Sequence, residues 1–104
     1  MIQTNQPCDP RVHLTSIAIA ERFLHTIRAC LREEEWGDAL REFYFVIREE
    51  LEATRSVPET RNRIGRISRR CVYIVEACVR EDERGDLVQI FQLIAKEELE
   101  GVHT

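Results

Sequence analysis

The 104-residue sequence predicts an all-α fold, an antiparallel four-helix bundle built from two duplicated αα-hairpins. Three observations predict it. Apolar residues recur at helical spacing along most of the chain. The stretch ACLREEEWGDALREF (29–43) returns as ACVREDERGDLVQIF (77–91). The connections between periodic segments are short, which favours antiparallel neighbours. Aligning 19–52 with 67–100 gives fourteen identities in 34 positions, among them Arg22/Arg70, Gly37/Gly85, Phe43/Phe91, Glu49/Glu97 and Glu50/Glu98. Ordinary residue usage gives about two or three by chance. The expectation is a single domain with a tail at 1–9, a first hairpin at 10–55, a second at 57–100 and a tail at 101–104. The hairpins are related by an offset of 48 residues and a pseudo-twofold axis. A two-repeat solenoid is the rival, but solenoids usually need three or more repeats for stability.

The first helix is expected near 10–35. Asp9 is its N-cap and Pro10 its first residue. Ile17, Ala20, Leu24, Ile27 and Leu31, with Ile19, Phe23 and Cys30 beside them, form its apolar face. Gly37 is expected in the left-handed conformation that closes this helix, with Asp38 capping the next. The second helix, near 38–55, turns Leu40, Phe43, Ile47 and Leu51 inward. Ser56 and Glu59 fit a capping box. The third helix, near 57–83, carries Ile64, Ile67, Cys71, Ile74 and Cys78. Gly85 and Asp86 repeat the turn. The fourth, near 86–100, carries Leu87, Phe91, Ile94, Ala95 and Leu99. One hairpin cannot bury its single apolar face alone, so the two faces meet, with Phe23, Ile27, Phe43, Cys71, Val75 and Phe91 at the contact.

Composition narrows the function. With 43% hydrophobic and 33% charged residues, the chain reads as globular rather than disordered. No apolar run reaches the roughly 18 residues of a membrane helix. The first residues lack the basic-then-apolar order of a signal peptide, so a cytoplasmic location and no membrane association are expected. The net charge of −4 argues against general nucleic-acid binding. Four cysteines without a C-x-x-C pattern read as reduced thiols, with Cys30 and Cys78 on apolar faces.

Candidate chemistry is sparse. The carboxylates at Glu33, Glu34 and Glu35 and at Glu49, Glu50 and Glu52 lack the Glu-x-x-His partner of a di-metal bundle, and no metal or cofactor is expected. The basic stretch contains Arg55, Arg61, Arg63, Arg66, Arg69 and Arg70, and the last five make a candidate anion patch. Internal pairing is the expected use, because the acidic end of the second helix lies antiparallel to it.

His25 sits in LHTIRACL. This segment is similar to the H-[ST]-[LI]-K-G motif of histidine phosphotransfer domains, which are four-helix bundles of about this size. The resemblance implies that His25 accepts a phosphoryl group from a response-regulator aspartate, with Arg28 in the lysine's place. The duplicate of His25 is Tyr73.

The remaining signal is apolar residues on polar faces. Phe45 lies about 200° round the helix from Phe43, and its duplicate Leu93 stands in the same relation to Phe91. Ile90 replaces Glu42 beside it, and Tyr44 lies at the edge. The expected function is that of a small, non-enzymatic helical module acting through protein–protein contacts. It is expected to self-associate as a homodimer or dock a partner helix through Tyr44, Phe45, Ile90 and Leu93. Phosphotransfer at His25 is the alternative.

Overall fold

Proline opens the first helix, where a missing N–H costs nothing. This helix, α1, spans Pro10–Ile27. The computed structural model describes residues 10–53 and 60–100. Within them three further helices follow: α2 (Trp36–Ala53), α3 (Thr60–Val75) and α4 (Arg84–Glu100), with no strand among the described residues. The residues given to the Ser56 capping box and to the Asp9 cap lie outside the described residues.

Each helix buries one stripe. In α1 the buried positions are Ser16, Ile19, Ala20, Phe23 and Ile27. In α2 they are Ala39, Phe43, Ile47, Glu50 and Leu51. In α3, Ile64, Ile67, Cys71, Val72 and Val75 turn inward, and in α4 Leu87, Phe91, Ile94 and Ala95 do so. The spacing of three and four keeps these side chains on one face of each helix. Helix α2 packs on α1 and α3, and α4 packs on α3 and α1. The result is a helical bundle in which α2 and α4 occupy opposite corners.

Three aromatic rings fill its middle. Phe23 stacks on Phe91 with centroids 3.8 Å apart and planes within 7°. Phe43 meets both edge-on, at 5.8 Å from Phe23 and 6.0 Å from Phe91. All three are inaccessible to solvent. All six residues expected at the hairpin contact are buried.

The turns differ from expectation. α1 ends at Ile27, not near Trp36. A 3₁₀ turn at Arg28–Cys30 leads to extended backbone at Leu31 (φ −115°, ψ 154°) and Arg32 (φ −74°, ψ 150°). A second 3₁₀ turn at Glu33–Glu35 then runs into α2. Gly37 and Gly85 lie inside the first turns of α2 and α4, with open space where a Cβ would stand, and neither has a positive φ. The glycine–aspartate pair is therefore not the turn. The acidic run is the start signal: three carboxylates favour the positive end of α2, and the Arg32 N–H donates to Glu35 Oε1 at 3.1 Å.

This geometry recurs 48 residues later. α3 ends at Val75, followed by 3₁₀ turns at Glu76–Cys78 and Glu81–Glu83, with extended Val79 (φ −115°, ψ 134°) and Arg80 (φ −61°, ψ 144°) between them. Cys30 and Cys78 fall in these turns and are exposed, contrary to the expected core placement. The apolar period runs through them only when the helix is extended past its end.

Candidate interaction surface

The charged seams between hairpins account for much of the polar sequence. Arg70 reaches from α3 to α2, with Nη1 2.7 Å from Glu50 Oε2 and Nη2 3.0 Å from Glu49 Oε1. Arg22 reaches from α1 to α4 in the same way, 3.0 Å from Glu98 and 2.8 Å from Glu97. Each residue of one seam stands 48 positions from its counterpart in the other. Glu50 also accepts from Arg66 at 2.8 Å, whereas Glu98 has Ala18 at the matching position. Glu50 is accordingly buried. Burial raises its pKa, and the hydrogen bonds from Arg66 and Arg70 outweigh that, holding the carboxyl below its ordinary value.

The candidate anion patch is thus divided. Arg66 and Arg70 are paired with α2, Arg69 is exposed and lies along Gly65, and Arg63 is half-buried. The side chain of Arg61, and Arg55 entirely, lie outside the described residues. Arg66 and Arg70 direct their charge into the seam rather than gathering a separate anion site.

His25 is exposed in a shallow groove between α1 and α4, lined by Ala18, Glu21, Arg22, Thr26, Ile94 and Glu98. Arg28 is not held beside it. Its guanidinium lies 5.9 Å from the Trp36 ring centroid, while the Trp36 indole N–H donates to the Arg28 carbonyl at 3.2 Å. The structure therefore provides His25 with exposure but commits both nearby arginines elsewhere.

The outer apolar residues are exposed as expected: Phe45 at 55%, Leu93 at 61% and Ile90 at 42%. They do not form one patch. Phe45 and Leu93 point away from the core on helices at opposite corners, so the surface divides into an α2 face and an α4 face. Tyr44 is half-buried toward α1, its hydroxyl 2.8 Å from His13 Nδ1. Leu14 and Tyr73 are also exposed, at 65% and 71%. Both lie opposite their helix's buried stripe, a relation readable from the 100° step per residue.

Among the described residues, no group of three or more histidine, cysteine or acidic side chains is placed to hold a metal. No described helix is long and apolar enough to cross a membrane. No protein-family model, curated protein or solved structure matches the chain.

Proposed function

We propose that the chain is a small, cytoplasmic, non-enzymatic helical module that works through protein–protein contacts, at the level of regulation or scaffolding. The observation that supports it is the pair Phe45 and Leu93, equivalent positions carrying large apolar side chains on faces turned from the core. A lone exposed apolar residue needs no explanation. Recurrence at matched positions supports the reading, and on α4 Ile90 adjoins Leu93 to widen the apolar face there. The module descends from a duplicated hairpin. Support comes from the fourteen identities, the matching element ends and the two Arg–Glu–Glu seams at a common offset.

Photo-crosslinking in cells expressing the chain tests the reading. A crosslinker at position 45, 90 or 93 is expected to give discrete protein adducts, and one at turn positions 34 or 82 is not. Equal, background-level adducts at all five positions would count against an interaction module.

The different-class reading, phosphotransfer at His25, draws on the exposure of that side chain. It requires acid-labile phosphate from a phosphorylated receiver domain, lost in His25→Ala. Arg28 stacked on Trp36 and the carboxylates of Glu21 and Glu98 beside the groove leave it the weaker of the two.

A further inference from the structure

Two grooves of the bundle match, and one has alanine where the other has arginine. The groove beside His25, between α1 and α4, has a volume of about 420 Å³. Its duplicate between α2 and α3 is lined by Val46, Arg69, Arg70, Tyr73 and Ile74, each 48 positions from a residue of the first groove. Ala18 and Glu98 line the first groove and have no counterpart in the lining of the second. At the matching positions stand Arg66 and Glu50, joined at 2.8 Å. The Arg66 guanidinium thus covers the carboxylate whose counterpart the first groove leaves open. Glu50 is buried, whereas Glu98, bonded to Arg22 at 3.0 Å, stays half-buried at the groove.

We propose that the α1–α4 groove takes an arginine side chain of a partner protein, its guanidinium on Glu98 as that of Arg66 lies on Glu50. This rests on the interaction-module reading and adds a site apart from the outer faces of α2 and α4. Charge complementarity identifies the occupant. At the α2–α3 seam and groove, Arg66, Arg69 and Arg70 stand with Glu49 and Glu50. At the matching α1–α4 positions, Arg22 stands with Glu21, Glu97 and Glu98, because Ala18 and Glu21 replace two arginines. Arg22 does not bar a second cation, since Glu50 accepts from Arg66 and Arg70 at once. Arginine suits the groove better than lysine. Ala18 and Ile94 offer an apolar wall for its methylene stem, and the planar fork matches carboxylate geometry.

The probe is a capped alanine–arginine–alanine peptide, titrated into the isotope-labelled full chain and followed by backbone amide shifts. Saturable shifts are expected at positions 18, 22, 25 and 98, with a dissociation constant on the order of 1 mM, since one side chain supplies the contact. A lysine peptide is expected to bind about threefold more weakly, and a citrulline peptide, which lacks the charge, about tenfold more weakly. Ala18→Arg supplies the guanidinium from within the chain. It is expected to abolish peptide binding and to raise the melting temperature. Glu98→Gln is expected to abolish binding too, and Glu34→Gln, in the turn, to leave it unchanged. Shifts that do not saturate, that survive Ala18→Arg, or that the citrulline or lysine peptide reproduces at equal strength overturn the proposal. No peptide binding, with crosslinked adducts at 45, 90 or 93, overturns the arginine site alone. No binding and no adducts remove the interaction reading as well.

Discussion

At the residue scale, Gly37 and Glu50 separate what the sequence signals from what it conceals. A glycine followed by aspartate, twice, is the strongest breaker signal in the chain, yet both glycines are helical with open space at Cβ. Gly37→Ala and Gly85→Ala should therefore each stabilise the fold, by about 0.5 kcal/mol, since alanine restricts the unfolded chain and favours helix. Left-handed glycines would give the opposite sign in urea melts. Glu50 reads in sequence as one member of a solvated acidic run, and its burial depends on Arg66 and Arg70 approaching from another helix. Spacing puts position 50 on the buried stripe and the antiparallel order brings arginines near it, but which carboxylate takes two of them is set by the packing of α3 on α2. The depressed folded-state pKa of Glu50 fixes the pH dependence. The stabilisation is complete above the unfolded carboxyl's value of about 4.3 and is lost as pH falls through the lower folded value. Glu50→Gln should be less stable than wild type by about 1–3 kcal/mol at neutral pH, with the gap narrowing toward pH 3. A gap of constant size across that range would show that the carboxylate's charge contributes nothing.

At the element scale, helix identities and buried stripes were legible because period and burial agree. The helix ends were not, because the apolar spacing continues through Leu31 and Val79 after the backbone has become extended. The division of the outer apolar set was hidden for a related reason. Periodicity tells which face leaves the core but not which corner the helix occupies. The two turns also solve one problem with different chemistry. The Trp36 indole donates to the Arg28 carbonyl at 3.2 Å. At the matching position, Arg84 Nη2 donates to the Glu76 carbonyl at 3.0 Å and Nε to Val79 O at 3.3 Å. Position 28 answers with a cation over the indole ring, and position 76 with a carboxylate 3.9 Å from the Arg84 guanidinium. These pairs should be exchangeable as units. Arg84→Trp alone should cost about 1 kcal/mol, and adding Glu76→Arg should recover most of it by building a cation–π pair. A double-mutant cycle on thermal melts checks this, and strict additivity would show that the two positions do not act together.

At the scale of the whole molecule, two matching seams join the hairpins. Arg22 with Glu97 and Glu98 joins α1 to α4, and Arg70 with Glu49 and Glu50 joins α3 to α2, so each hairpin contributes an arginine and a glutamate pair. The α1–α4 and α3–α2 neighbours thus use corresponding surfaces. If the pseudo-twofold relation holds, the order of the hairpins in the chain is immaterial to the bundle. Because α4 packs on α1 and the two run antiparallel, Glu100 and Pro10 lie at the same end of the molecule. A permuted chain can be made by placing residues 60–100 first, then a six-residue glycine–serine linker, then residues 10–53. Such cuts are tolerated where chain ends lie close together at the surface. The permuted chain should unfold cooperatively in urea, with a stability within about 2 kcal/mol of the parent, since loop-closure entropy changes only slowly with loop length. Phe43→Ala and Phe91→Ala should still cost about 3–5 kcal/mol each in it, because the ring cluster is the same. A permuted chain that is helical but melts without cooperativity would mean that the hairpins are not equivalent in the bundle.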